Sequence, residues 1–211
     1  MAIIHSTDKS ADSRRRILQA ARVEIENKGI LGLRVQDVAK NAGVSVPLIY
    51  KYFGDRDGLL ADVLAQMFND CSIRHLGPAG EILSAHEGEL TVDKLIAALL
   101  LPQDSESKRD RELTVQMLAA SAEIPALAKR LAETEREIHS QLNVFIAETF
   151  NKLGLDDRVP VRALSMLIQA ATLGQIFNDM LGDNEVEVDE MASLLRVLVE
   201  AVVEKHTPPR S

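Results

Sequence analysis

Residues 35–53, VQDVAKNAGVSVPLIYKYF, have the pattern of two short helices joined by a glycine turn. Val38, Ala39 and Ala42 fall on one face of the first helix, and Ala39 is small enough to let a second helix cross close over it. Gly43 can take the left-handed conformation that ends a helix, because it has no Cβ. This stretch therefore predicts a helix-turn-helix.

The second helix of this motif begins with residues suited to a helix N-terminus. Ser45 can cap the first free N–H groups, and Pro47 lies in the first turn, where a missing N–H does no harm. Ile49 and Phe53, four positions apart, are predicted to point inward. A helix that exposes apolar residues beside a lysine usually buries them against a partner, and the residues left on the outer face are Val46, Leu48, Lys51 and Tyr52.

Three further segments with recognisable patterns lie on both sides of the motif. The chain has RRILQAA at residues 15–21, GILGL at 29–33 and DRDGLL at 55–60. Together with the motif, these segments resemble the DNA-binding domain of TetR-family transcriptional regulators. Two positions depart from the family pattern: Ile25 stands where a phenylalanine is usual, and Leu48 where a small polar residue is common. These two departures bear on which DNA sequence the protein prefers, and not on its fold.

The resemblance implies DNA contacts for the residues that match the family's pattern. Gln36 and Lys51 can hydrogen-bond base edges. The residues expected at or beside the major groove are Val35, Gln36, Ser45, Val46, Pro47, Leu48, Lys51 and Tyr52. The residues expected at phosphates are Arg14, Arg15, Arg16, Tyr50 and Arg56. The alternative for the three consecutive arginines is a solvated basic turn, and for Tyr50 it is a ring in the core with only its hydroxyl at a phosphate.

The composition indicates an all-α protein with an uneven charge distribution. Hydrophobic residues make up 46% of the 211 residues and aromatic residues 3%, and strand-like alternation is absent. Residues 1–60 hold ten Lys/Arg against seven Asp/Glu, a balance of +3, so the remainder carries −11 within a net charge of −8. This asymmetry concentrates the attraction for phosphate at one end of the chain.

No pattern in the chain indicates catalysis, metal binding or membrane insertion. The five histidines lack metal-ligand spacing, and neither a glycine-rich phosphate loop nor a nucleophile elbow is present. The single cysteine excludes an internal disulfide and a cysteine-rich zinc site. The first ten residues lack the layout of a signal peptide, and the apolar run Leu95–Leu101 is far shorter than the ~20 residues of a membrane span. We expect a soluble cytoplasmic protein with no catalytic residue, metal or cofactor.

Caps, glycines and prolines predict the helix boundaries. A first helix is predicted from Asp12 or Ser13 to Asn27, after a polar leader and with the three arginines in its first turn. A helix that links two domains is predicted from about Arg56 to a break at residues 77–80, GPAG. A short helix at Leu90–Leu101 and a polar loop at Gln103–Lys108 are predicted next. The remaining helices are predicted at residues 112–121, at 125–153, from the stretch 156–160 to 181, and at about 188–204.

The last two predicted helices carry apolar residues over more than one face. A surface helix needs a single apolar stripe, so a second stripe implies burial on two sides. We interpret the second side as the interface of a homodimer, where Gly174 and the alanines allow close approach. The alternative is burial within the monomer. The predicted interface residues are Leu164, Leu167, Ala170, Leu173, Gly174, Phe177, Leu195, Leu198 and Val202.

Beyond the DNA-binding domain, the chain is similar to the family in helical layout alone. That resemblance implies an effector-binding domain, with a small molecule bound among the middle helices. No charged candidate stands out, which favours an apolar or amphipathic effector. The candidate lining residues, each with ordinary core packing as its alternative, are Met67, Cys71, Met117, Leu142, Phe145, Met166 and Gln169.

These patterns together predict an all-α protein of two domains. Residues 1–58 would form a three-helix helix-turn-helix DNA-binding domain, and residues 59–211 a larger helical effector-binding and dimerisation domain. As the resemblance to TetR-family regulators implies, the homodimer would bind a palindromic double-stranded DNA operator, most often to repress, and a small molecule would release it. The alternative is a DNA-binding dimer of the same fold without small-molecule control.

Overall fold

The computed structural model describes residues 3–84, 94, 105–152, 160–181 and 188–204, and this part of the chain is helical without strands. The absence of strands in these ranges confirms the predicted all-α class. No helix within them is long and apolar enough to cross a membrane. The helices are α1 (Ile3–Lys28), α2 (Val35–Ala42), α3 (Val46–Phe53), α4 (Arg56–Ser84), α5 (Ser105–Ser121), α6 (Pro125–Lys152), α7 (Val161–Leu181) and α8 (Val188–Glu204).

The turn between α2 and α3 has the predicted glycine conformation. Gly43 has φ 65° and ψ 40°, in the left-handed region. The Val44 N–H donates to the Ala39 carbonyl at 3.0 Å, which satisfies a carbonyl that the helix end would otherwise leave free. Since an L-residue at this φ is strained, a glycine here allows the two helices to follow each other so closely.

Ser45 occupies the N-cap position of α3, but its side chain makes no capping hydrogen bond, contrary to the sequence-based prediction. A capping oxygen normally accepts from the second or third N–H of a helix. Here the second position is Pro47, which has no N–H, and the Leu48 N–H already donates to the Ser45 carbonyl at 3.0 Å. The backbone of Ser45 therefore starts the helix without its hydroxyl.

At the start of α4, by contrast, a side-chain cap is present. The Gly58 N–H donates to Asp55 Oδ1 at 2.7 Å. Gly54, with φ 81°, ends α3 directly before this cap. These two residues make a sharp corner between α3 and α4.

The chain forms two compact units, and the first contains the helix-turn-helix. It consists of Met1–Asp70 and Leu113–Arg136. Its buried core continues from α1, α2 and α3 into α4 as far as Met67, and includes Met117, Leu127 and Leu131. The compact unit is thus larger than the predicted domain of residues 1–58, while a division of function at residue 58 stays a prediction.

The second unit consists of Cys71–Glu112 and Glu137–Ser211. Within it, the Arg74 guanidinium pairs with Asp110 at 2.6 Å. The Ser165 hydroxyl, fully buried, donates to Asn143 Oδ1 at 2.6 Å. The described large apolar residues that are exposed on α7 and α8 are Met166, Leu167, Leu173, Phe177, Met180, Leu181, Met191, Leu194, Val197 and Leu198.

Three predicted boundaries are wrong. Helix α1 begins at Ile3 rather than at Asp12, because residues 3–11 contain no glycine or proline to stop it. Helix α4 continues through residues 77–80 to Ser84, because an interior proline removes one backbone hydrogen bond and can bend a helix without ending it. Helix α5 begins at Ser105, since lysine, arginine and glutamate favour helices even where no apolar stripe is present.

The later boundaries agree closely with the predictions. Helices α6, α7 and α8 have nearly the predicted limits. The predicted helix at Leu90–Leu101 lies outside the described residues, of which this segment contributes Lys94 alone.

Candidate nucleic-acid interface

Helix α3 is anchored from one side and presents the other side outward. Ile49 is fully buried and Phe53 is 9% exposed, as predicted. Pro47 and Lys51 are exposed, and Tyr50 is 42% exposed. Because a ring this accessible is not a core residue, the alternative interpretation of Tyr50 as part of the core is wrong. Helix α3 is therefore anchored on its inner side and carries an accessible row of side chains on its outer side.

Three other predicted side chains of α3 are partly covered. Val46, Leu48 and Tyr52 are half-buried, and Val46 and Tyr52 pack against the core cluster. The Tyr52 hydroxyl donates to Ser10 Oγ of α1 at 3.0 Å. Val46 and Tyr52 thus combine a packing role with a surface that is still accessible.

Helix α2 contributes fewer accessible residues than expected. Gln36 is exposed, as is Ser45 in the turn. Val35 is 4% exposed and belongs to the core, so the expectation that it faces the groove is wrong. The reason is helical spacing: Val35, Val38, Ala39 and Ala42 occupy positions i, i+3, i+4 and i+7, which share one face.

The three consecutive arginines lie well inside α1 rather than in its first turn, and each contacts another group of the first unit. Arg14 pairs with Asp62. Arg15 donates to Asp12 Oδ1 at 2.9 Å, which lowers the pKa of the Asp12 carboxyl. Arg16 donates to the Ala42 carbonyl at 3.0 Å. The Arg15 side chain is 81% exposed, so it is the most accessible of the three to a phosphate.

Arg56 supports the loop before α2. Its Nε donates to the Leu33 carbonyl at 3.3 Å, and its side chain is 39% exposed. Its Nη1 also lies 3.6 Å from Asp57 Oδ1. Arg56 therefore joins the corner at the start of α4 to the segment that leads into α2.

Lys28 pairs with one acidic side chain of α1 and one of α2. Lys28 Nζ lies 3.0 Å from Asp37 Oδ2 and 2.7 Å from Glu24 Oε2. The hydrogen bond from Lys28 lowers the pKa of the Asp37 carboxyl, and Glu24 and Asp37 raise the pKa of Lys28. Since Asp37 is paired, it repels a nearby phosphate less than a free carboxylate would.

The effector candidates do not fall in one unit. Met67 and Met117 are 2% and 0% exposed and belong to the core cluster of the first unit. Cys71, in the second unit, is buried, Leu142 and Phe145 are half-buried, and Met166 is 70% exposed. Gln169 Oε1 lies 3.2 Å from His139 Nε2. Among the described residues, no group of acidic, histidine or cysteine side chains could hold a metal ion.

The predicted interface residues are largely exposed. Leu167, Leu173, Phe177 and Leu198 are 60%, 39%, 66% and 49% exposed. Ala170 and Gly174 are exposed, whereas Leu164 and Leu195 are half-buried. The side chain of Val202 lies outside the described part. For the exposed residues, the alternative of burial within the monomer does not hold in the described structure.

An N-terminal helix-turn-helix whose second helix has an accessible outer face is typical of DNA-binding proteins that place a recognition helix in the major groove. Residues 17–63 match the model of a family described as bacterial regulatory proteins, tetR family. Over these residues the chain resembles the DNA-binding part of TetR-family transcriptional regulators.

Individual relatives agree with this assignment. The regulator BetI 1 of Chromohalobacter salexigens is 39% identical over 57 residues, which cover 27% of this chain and only 28% of that protein. BetI of Stenotrophomonas maltophilia is 27% identical over 164 residues, 76% of this chain and 79% of that one. The identity is therefore higher over the shorter of the two alignments.

Solved structures extend the likeness to nearly the whole chain. A TetR-family regulator from Rhodococcus sp. is 25% identical, with a TM-score of 0.61. The alignment covers 92% of this chain and 99% of that chain. A transcriptional regulator from Saccharomonospora viridis, solved in complex with choline, is 19% identical with a TM-score of 0.60 and covers 90% and 96%. At that identity, the second likeness supports the fold alone.

Proposed function

We propose that the protein is a cytoplasmic homodimer that represses transcription from a palindromic operator and is released by a small molecule. The observation that carries the proposal is the accessible outer face of α3, with Pro47, Tyr50 and Lys51 exposed above the buried Ile49. A rigid helix with a lysine and an aromatic residue on its accessible side is suited to the major groove.

Homodimerisation accounts for the exposed apolar residues of α7 and α8. Soluble monomers rarely expose large contiguous apolar patches, and such patches usually mark an interface. A second copy of the chain is the simplest partner, because a two-fold axis pairs the same face with itself. It also presents two copies of α3 to two half-sites, which is what a palindromic operator requires.

The last part of the proposal is a small-molecule effector. The choline complex of the Saccharomonospora viridis regulator is an instance of ligand binding in this fold. We expect an apolar or amphipathic effector, and in the second unit the half-buried Leu142 and Phe145 are candidates to contact it. Control without a small molecule remains the second candidate function.

Selection of bound duplexes from a random DNA library tests the proposal. We expect an enriched palindrome, with half-sites about one helical turn apart (~34–36 Å), or a multiple of that spacing. Repeating the selection with a panel of metabolites should reveal one that abolishes enrichment. An enriched palindrome that no metabolite affects would favour the second candidate, and no enrichment at all would contradict the proposal.

A pair of substitutions separates base reading from phosphate binding. Lys51→Ala should change the preference at particular base pairs and cost about 1–3 kcal/mol of operator binding. Arg15→Ala should weaken all sequences alike and lower the salt-dependence slope by about one unit. Fluorescence anisotropy with operator and random duplexes across a salt series measures both. Indistinguishable behaviour of the two variants would contradict the assigned roles.

A further inference from the structure

Arg14, an expected phosphate ligand, makes two contacts inside the first unit. Its Nη2 lies 2.5 Å from Asp62 Oδ2 of α4. Its guanidinium carbon lies 5.3 Å from the centroid of the Phe53 ring, within the distance at which a cation is attracted to an aromatic face. Phe53 is the last residue of α3. Arg14 therefore joins the end of the recognition helix to α4.

A second cation shares the same carboxylate. Arg130 Nε of α6 donates to Asp62 Oδ1 at 2.9 Å, whereas Arg14 is paired with Oδ2. The attraction of Asp62 raises the pKa of Arg130, and the Asp62 side chain is only 14% exposed. Little water can reach the Asp62 carboxylate to replace a lost partner. Movement of one arginine therefore changes the strength of the ion pair between Asp62 and the other arginine.

The four residues form a continuous series of contacts from α3 to α6, all within the first unit: Phe53, Arg14, Asp62 and Arg130. No sequence pattern pointed to the last two, since Asp62 is 48 positions from Arg14 and 68 from Arg130. Their meeting is visible only once the helices are packed.

We propose that Arg14 is a positioning residue for the recognition helix rather than a phosphate ligand, and that Asp62 and Arg130 hold it in place. This inference rests on the proposed function. A phosphate would have to compete with a close, partly buried carboxylate for the Arg14 charge. Arg15 differs, because its partner Asp12 is 50% exposed and can be exchanged for a phosphate at little cost.

The sign of one effect distinguishes the two roles. Asp62→Asn removes a negative charge from the DNA-binding unit, so electrostatics alone would strengthen binding to every duplex. If Asp62 instead positions the recognition helix through Arg14, operator binding weakens while binding to random DNA does not. A loss of operator affinity on removal of an acidic group is therefore the expected signature.

The experiment compares Arg14→Met, Asp62→Asn and Arg130→Met with the matched control Arg15→Met in the full-length protein. The probes are the duplex enriched from a random library and a random-sequence duplex of equal length, titrated across a salt series. Methionine keeps much of the arginine stem, and circular dichroism confirms folding at the assay temperature. If Asp62→Asn does not fold, Arg14→Met decides the question alone.

We expect Arg14→Met and Asp62→Asn to lower the ratio of operator to random-DNA affinity by about fivefold or more, without a change in salt slope. Arg130→Met should act in the same direction, and the double variant Asp62→Asn/Arg130→Met should be no worse than the worse single one. Arg15→Met should weaken both duplexes alike and lower the slope by about one unit.

Three results would overturn the inference: Arg14→Met behaving like Arg15→Met, Asp62→Asn strengthening both duplexes, or fully additive effects of Asp62 and Arg130. A wild-type protein that enriches no sequence would instead overturn the proposed function. The two failures are therefore distinguishable.

Discussion

Phe177→Glu is expected to convert the proposed homodimer into monomers and to lower operator affinity by roughly 10³-fold or more, toward the level of non-specific binding. The Phe177 side chain is 66% exposed on α7 in the single chain. In the proposed dimer, a glutamate at this position would be buried beside its symmetry-related copy, and two unpaired carboxylates there cost far more than the lost apolar contact. Sedimentation velocity and operator titration measure the two effects.

Leu118→Glu is the matched control for this substitution. Leu118 is also a large apolar residue and is 45% exposed, but it lies on α5 in the first unit. This variant should stay dimeric and keep its operator affinity. A wild-type chain that sediments as a monomer at micromolar concentration, or a Phe177→Glu variant that stays dimeric, would contradict the assigned interface.

Ile49→Ala should destabilise the first unit by about 2–5 kcal/mol, because it leaves a cavity in a fully packed site. Ile49 is 0% exposed and lies on the inner side of α3, so the loss also removes the support of the recognition helix. Urea unfolding followed by circular dichroism measures the free-energy change, and operator binding should weaken even where the variant is mostly folded.

Leu31→Ala provides the comparison for Ile49→Ala. Leu31 is 90% exposed in the loop between α1 and α2, and its truncation should change stability by less than about 0.5 kcal/mol. Equal effects of the two substitutions would mean that α3 is not anchored through Ile49.

The local features of the helix-turn-helix were predictable because they depend on neighbouring residues. Gly43 needs only its own backbone to adopt a left-handed conformation, and Val38 and Ala42 need only helical spacing to share a face. The same spacing already placed Val35 on that face. The resemblance to the family favoured a groove contact there, and periodicity was the better guide.

Other features depend on competition between groups, which a linear pattern does not show. Ser45 is a good capping residue, but Pro47 and the backbone of Leu48 leave its hydroxyl nothing to cap. Asp12 and Ser13 are good helix starts, but nothing before them stops the helix. The contacts of Asp62 join residues far apart in the chain, so neither propensity nor periodicity could have indicated them.

The composition of the first unit has a practical consequence for building hybrid regulators. A graft of residues 1–58 onto another regulator of this fold would leave behind Leu59, Leu60 and Leu64, each fully buried in the same core as the helix-turn-helix. The grafted helix-turn-helix would then pack against side chains of the other regulator instead of against these three leucines. A graft that ends after Asp70 and also includes Leu113–Arg136 as a second insert would transfer the whole first unit with its own core. To exchange DNA specificity with another regulator of this fold, both segments of the first unit would therefore have to be transferred.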